Sequence, residues 1–382
     1  MVRIASYNVE NLFSRPKALD PTDWSKGKPI LKAFGKVNEL LAKPVYSAND
    51  KTKIKELFVE LDLYYINNQN AVRRKRVQDP DWAWFRKNHG KFDKEPKDKT
   101  KDVEIIASGR KDWIGWVSLA KEAVNEINTR MTAKVIEDVY ADIIGIVEAE
   151  DRPSLCRFND EMLGGLYSHV MLIDGNDKRG IDVGIMTGEG FDINCIKSNV
   201  DTVDATGIIF SRDCPQYTVF TPNGTELHLL INHFKSKSGG GDKKRQRQAA
   251  EVRKIVDDLV SQGKHVVVMG DLNEGPGKNQ NFSENLKSLY DSNSPLVECF
   301  TLPGFNIGNR EGTYSSCSLS NRFDYIFISK SLLNKCQGGG VFRKGLWCSL
   351  KTASEQWEVY PDITKESEQA SDHGAVFIDL NI

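Results

Sequence analysis

The chain has 382 residues, of which 39% are hydrophobic and 27% charged, and its formal net charge is −1. This composition excludes a disordered or fibrous polypeptide, and the length suits one large α/β domain or two ordinary ones. The near-zero total charge marks no global binder of polyanions, although steering depends on the field at a site and not on the sum.

In chain order, a Val- and Ile-containing run over residues 2–9 predicts a first strand. The segment 14–116 reads differently, with helix-like stretches at 30–41 and 52–63 followed by a Trp-rich, mixed-charge region at 73–101. That region has a basic, aromatic flavour suited to a nucleic-acid backbone and its bases. Asp79, Asp81, Asp93, Glu95 and Asp98 interleave with the cations. Because only one-signed fields steer, the favoured reading is a helical insertion whose tryptophans pack a small core and whose lysines are solvated.

Beyond the insertion, Ile127, Met131, Val135 and Val139 form one apolar stripe and predict a helix over 117–140. Strands are predicted at 141–147, 181–187, 225–234, 265–270, 323–329 and 374–380, and a helix at 242–262 with Gly263 as its cap. Strands alternating with helices indicate the α/β class. No apolar run approaches the roughly 20 residues that span a bilayer, and the first residues lack a leader pattern. The seven cysteines are scattered without a CxxC spacing. The expectation is a cytoplasmic protein with reduced thiols and no membrane contact.

Polar side chains cluster where the predicted strands end. Asn8 and Glu10 close the first strand, Glu148 follows the second, and Asn232-His233 ends the fourth. Asp271 and Asn273 follow Val266-Val-Val-Met-Gly270, Asp324 lies inside Arg322-Phe-Asp-Tyr-Ile-Phe-Ile328, and Asp372-His373 precede the last strand. A carboxylate at a buried strand end is costly unless a metal or a hydrogen-bond network compensates it. Singly, each has an ordinary explanation, such as a solvated turn or a structural histidine. Together they form one ordered set. Behind His233 comes a basic loop with Lys235, Lys237, Lys243, Lys244, Arg245 and Arg247, suited either to backbone phosphates or to solvent.

The ordered set resembles the endonuclease/exonuclease/phosphatase superfamily, whose motifs run N-x-D/N/E, E, H or Y, D-x-N, D and D-H. Here these positions are Asn8/Glu10, Glu148, His233, Asp271/Asn273, Asp324 and Asp372/His373, and Ile231-Asn-His-Phe-Lys-Ser-Lys237 echoes bacterial nucleases. The resemblance covers the first strand and roughly 117–382. It implies a single domain over 1–382, built as a four-layer, two-sheet α/β sandwich like deoxyribonuclease, with the helical segment 14–116 inserted.

It also implies divalent-metal-dependent hydrolysis of phosphodiesters, with a nuclease of DNA or RNA foremost. A phosphatase or phospholipase-type phosphodiesterase is the alternative, and a silent binding module the least favoured. By the same resemblance, Glu148, Glu10 and Asp372 would hold Mg²⁺ or Mn²⁺, a choice that fits all-oxygen ligands. Asp271 would activate water, Asp324 would orient His373, and Asn8, Asn273 and His233 would meet the phosphate. Arg179, Lys235, Lys237 and Arg245 are candidate substrate contacts. Glu10 departs from the commoner Asp or Asn, and the insertion has no counterpart in compact members, so substrate choice does not carry over. The insertion also offers a place for a protein partner.

Overall fold

The computed structural model describes residues 1–237, 239–277 and 280–382. The chain divides into two compact units, one formed by Met1–Phe13 with Ala123–Ile382 and the other by Ser14–Glu122.

The larger unit is built on two sheets. The seven-stranded sheet runs His169–Ile173, Asp182–Thr187, Ile143–Ala149, Val2–Leu12, Ala375–Leu380, Cys336–Phe342 and Phe305–Asn306. The six-stranded sheet runs Asp192–Lys197, Gln216–Phe220, Glu226–His233, His265–Asp271, Asp324–Ser329 and Leu296–Glu298. Val2, Ile4, Ile143, Val147 and Ile378 of the first sheet pack against Leu229, Ile231, Val267, Met269 and Ile326 of the second. Their alternate neighbours face outward. Ala5, Tyr7, Ile144 and Ile146 bury the helix Ile127–Val139, while Leu230, Val266, Val268 and Phe327 bury Asp242–Ser261. This is the expected four-layer α/β sandwich, produced by the period-two alternation of strands between two apolar faces.

All seven predicted strands are present, each shifted by no more than a few residues. Others escaped notice, among them Asp192–Lys197, which is largely exposed, and the glycine-rich Cys336–Phe342. The helix expected over 117–140 occupies only Ile127–Val139. Val117 belongs instead to the strand Trp113–Leu119, where buried Trp113, Gly115 and Val117 alternate with exposed Ile114 and Trp116, a period of two that the helical reading overrode. Gly263, at φ +75°, ends the Asp242–Ser261 helix and donates its N–H to the Val260 carbonyl, as a cap glycine does.

The smaller unit corrects the expectation of a helical segment ending at residue 116. It extends to Glu122 and contains two main helices, Trp24–Leu41 and Ala48–Glu60, the second started by a reciprocal Ser47/Asp50 capping box. The remainder pairs as short antiparallel strands, Tyr64–Ile66 with Val72–Arg74, Ala83–Gly90 with Trp113–Leu119, and Asp93–Lys94 with Glu104–Ile105. Phe58, Phe92 and Trp113 are buried at its centre, with Phe92 and Trp113 rings 4.4 Å apart, so the aromatic residues do build a core of their own. All seven cysteines are free thiols, and no helix among the described residues is long and apolar enough to cross a membrane.

Candidate active site

Strand register brings three predicted residues side by side. Asp271 closes the strand His265–Asp271 and pairs with His233 on one side and Asp324 on the other. Each continues the inward face of its strand, after Ile231, after Met269 and before Ile326. On the facing sheet, Asn8 follows Val2 and Ile4 with the same parity and points at the same spot.

Glu148 and Glu10 reach the cleft by a different device. The pairing of Ile143–Ala149 shifts register after Val147, and that of Val2–Leu12 after Asn8. At these bulges Glu148 (φ 71°), Glu10 (φ 50°) and Asn11 (φ 63°) take left-handed backbone, and so does Asn273 (φ 53°) beyond Asp271. Bulges re-aim side chains, and left-handed non-glycine residues persist only where surroundings enforce them. Gly270 (φ +133°) explains the glycine before Asp271: a Cβ there would stand 1.9 Å from the Asn232 carbonyl oxygen.

Asp271 is held by three donated hydrogen bonds. The Asn273 backbone N–H gives one to Oδ1 at 2.8 Å, and the Asn8 and Asn273 side-chain amides each give one to Oδ2 at 3.2 Å. His373 Nδ1 contacts Asp324 Oδ2 at 2.7 Å, and Thr313 Oγ1 donates to the same oxygen at 2.6 Å. The other face of the His373 ring lies 3.9 Å from Asp271 through Nε2. His233 Nε2 stands 3.6 Å from both Glu148 and Asp271. Ser371 Oγ donates to the Asn8 carbonyl at 2.7 Å, and the Asp372 N–H donates to Glu10 Oε2 at 2.8 Å, so the C-terminal motif is pinned onto the first strand.

The electrostatics follow from this packing. Burial works against a charge on His373, yet the Asp324 carboxylate, its hydrogen bond and the nearby Asp271 and Asp372 outweigh it and raise the imidazole to about 10. His373 is therefore a cation at neutral pH. His233 lies well below the ordinary imidazole range, through burial and then the Arg212 charge, and stays neutral. Burial pushes up Asp271, Glu148 and Asp372. Glu10 rises to about 7, first through burial and then through the Asp372 charge.

These groups line one cleft of about 480 Å³, together with Arg179, Arg212, Ser236, Lys237, Tyr314 and Phe323. Every catalytic and metal-site candidate except Asn8 and Asp324 lines this cleft directly, and those two support Asp271 and His373 from behind. Among the described residues no three Asp, Glu, His or Cys side chains form a ready-made metal cage.

The basic loop divides. Lys237 is exposed at the cleft, its Nζ 4.9 Å over the Phe323 ring, and Arg179 sits there with its guanidinium 2.7 Å from Asp177. Arg245 is a correction. It is buried, with Nε 2.7 Å from Glu274 and Nη1 donating to the Lys235 and Ser236 carbonyls, so it braces the loop and meets no solvent. Lys235 is half-buried and does not line the cleft, its Nζ donating to Ser236 Oγ at 3.2 Å. Arg247 pairs with Asp204 at 2.6 Å.

Sequence reasoning missed Arg212, a buried guanidinium 3.2 Å from Asp177 that faces the cleft, and also Thr313 and Tyr314. Tyr314 makes an isolated bridge to His373 and holds its ring 4.8 Å from the imidazole. All three sit in irregular stretches without periodicity to mark them.

No curated protein matches the chain. Solved structures similar to it include the Bacteroides thetaiotaomicron VPI-5482 mannosyl-6-phosphatase Bt3783, at 17% identity over 66% of this chain and 90% of that one, with a TM-score of 0.49. Truncated Caenorhabditis elegans TDP2 matches at 17% identity over 66% and 90%, with a TM-score of 0.45. The human Nocturnin catalytic domain matches at 15% over 66% and 85%, also at 0.45. Residues 85–381 match the profile described as Endonuclease/Exonuclease/phosphatase family, and the chain therefore belongs to that family of phosphoester hydrolases.

Proposed function

We propose that this protein hydrolyses phosphodiester bonds in DNA or RNA, with a divalent cation and an activated water. The reading is carried by one observation: Asp271, fixed by Asn8 and Asn273, lies beside the His373–Asp324 pair in an open cleft that also holds Glu10, Glu148 and Asp372. The last three fit a hard cation by their chemistry. They supply only oxygen donors, and burial makes their charges costly until a positive charge arrives. Glu148, Glu10 and Asp372 would hold Mg²⁺ or Mn²⁺, which when bound polarises the phosphoryl oxygen and stabilises the leaving oxyanion.

The chain's own groups account for the rest. Asp271 orients the water in line with the leaving oxygen and accepts its proton as the new P–O bond forms and the old one breaks. The His373 cation and the Arg212 and Arg179 guanidiniums offset the charge that accumulates on the phosphoryl oxygens. Neutral His233 offers Nε2 toward the same centre, between Glu148 and Asp271. Lys237 contacts the flanking phosphate. A substrate panel tests the reading. Single-stranded, duplex and abasic DNA, RNA and a small phosphodiester are offered with Mg²⁺ or with EDTA. Hydrolysis of the small phosphoester with no cleavage of any nucleic acid would remove the nuclease part.

A further inference from the structure

The total charge of −1 hides a segregated chain. Between Ser14 and Glu122 there are 24 Lys and Arg against 16 Asp and Glu, a net of +8; the rest of the chain carries 28 against 37, a net of −9, out of 52 and 53 in all. Two of the acids that interleave with the cations in the 73–101 stretch are taken up in ion pairs. Asp93 is buried against Arg74 at 2.6 Å, Glu95 lies 3.1 Å from Arg73, and Lys75 pairs with Asp62. The first two pairs engage Asp93 and Glu95 of a concave surface of about 830 Å³, which leaves the exposed Glu104 as its one other lining carboxylate beside seven Lys and Arg. Exposed Lys91, Lys94, Lys97 and Lys99 line it, and none of them has a carboxylate within ion-pairing distance among the described residues.

The cavity shares walls with two smaller concavities. One, through Arg73, Glu95 and Lys99, presents Tyr65 and Ile66, which are 45% and 58% exposed; the other, through Arg74 and Arg76, presents Trp84 and Lys87. A predominantly basic groove flanked by the exposed Tyr65 and the half-buried Trp84 matches a phosphate backbone with bases free to stack.

We infer that this groove of the Ser14–Glu122 unit binds single-stranded nucleic acid, with Lys91, Lys94, Lys97 and Lys99 on its phosphates and Tyr65 and Trp84 against its bases. The inference deepens the nuclease reading and rests on it for the identity of the partner. The unpaired lysines favour a polyanion, and the flanking Tyr65 and Trp84 rings favour a strand over a smooth anionic surface, which offers nothing to stack.

The test uses the full chain in EDTA, so that binding is read without cleavage. A labelled single-stranded oligonucleotide is titrated at several salt concentrations into wild type and into the Lys91→Gln/Lys94→Gln/Lys97→Gln/Lys99→Gln variant. Each lost phosphate contact flattens the plot of log affinity against log salt by about 0.7, so the variant is expected to lose about 3 from the slope and at least tenfold in affinity at low salt. Tyr65→Ala should weaken binding without changing the slope. Turnover of a small phosphodiester with Mg²⁺ should be equal in wild type and the lysine variant, which also certifies folding. An unchanged slope in the variant overturns the inference, as does binding of wild type to anionic vesicles but not to the oligonucleotide. A wild type that binds the oligonucleotide yet cleaves none would leave the groove standing and remove the nuclease reading. Cleavage with an unchanged slope would do the reverse.

Discussion

Replacing Asp324 by Ala separates the support role of this carboxylate from the chemistry beside it. In the native protein Asp324 is fully buried and accepts hydrogen bonds from His373 and Thr313 on one oxygen. Its removal strips the buried imidazolium of its nearest counter-charge, with Asp372 and Asp271 remaining at 3.7 and 3.9 Å from Nε2, and leaves a buried hydroxyl without an acceptor. Removing one partner of a buried pair costs about 3–5 kcal/mol, a large share of the stability of an ordinary domain. The variant escapes part of that cost by deprotonating His373, because burial is the largest influence on that ring and acts to lower its pKa once Asp324 is gone.

The sign follows. In wild type the pair contributes fully below the unfolded histidine value and is lost as pH rises through about 10, whereas the variant lacks the contribution throughout. Turnover should fall by about 10²–10⁴-fold, since the cationic ring no longer faces the reacting phosphate. Urea unfolding followed by tryptophan fluorescence reads the first effect and hydrolysis of a small phosphodiester the second. A variant within about 1 kcal/mol of wild type, with turnover reduced less than tenfold, would refute the coupling of His373 to Asp324.

Glu148→Gln should raise the Mg²⁺ concentration for half-maximal turnover by at least about tenfold, read by metal titration, because a charged oxygen donor is lost while shape is kept. Asp182→Asn should stabilise the fold at neutral pH. Burial holds its carboxyl up at about 6 while its Oδ1 accepts the Gly175 N–H at 2.8 Å, a bond that Asn retains. The native charge then costs stability as pH rises from the ordinary carboxylate value through about 6, so a gain on the order of 1 kcal/mol should appear above that window and vanish below it in thermal scans at graded pH. Arg245→Ala should destabilise by up to about 3–5 kcal/mol without a selective rise in KM, because it takes from Glu274 its buried partner and leaves it only the exposed Lys237 at 3.7 Å as a cation; a pure KM effect would return Arg245 to the substrate contacts.

Much of the fold was legible because its inner strands are short apolar runs with period-two parity, and parity alone places His233, Asp271 and Asp324 on one face once register is known. The motif residues could be found because each sets a polar or charged side chain within or at the end of an apolar run. The supporting cast could not. Tyr314 acts through a bridge to His373 across a long sequence separation, Thr313 through a hydrogen bond to Asp324, and Arg212 is buried inside an irregular stretch. Arg245 misled because a basic loop reads alike whether its cations face solvent or, as here, a buried carboxylate. The strand Trp113–Leu119 went unread and its last three residues fell into the helix expected over 117–140, because its inward residues, Trp113, Gly115 and Val117, include a glycine that blurs the alternation. The pairing of Asp93 with Arg74 likewise has no local signature, and it helps turn a mixed-sign sequence into a predominantly basic groove.

The most direct measurement is cleavage of single-stranded and duplex oligonucleotides by wild type and Asp271→Ala, each with Mg²⁺ and with EDTA. The account predicts cleavage by wild type with Mg²⁺, none with EDTA, and a loss of about 10²–10⁴-fold in the variant with its folding intact. Cleavage that survives EDTA, or that persists undiminished in Asp271→Ala, would contradict it.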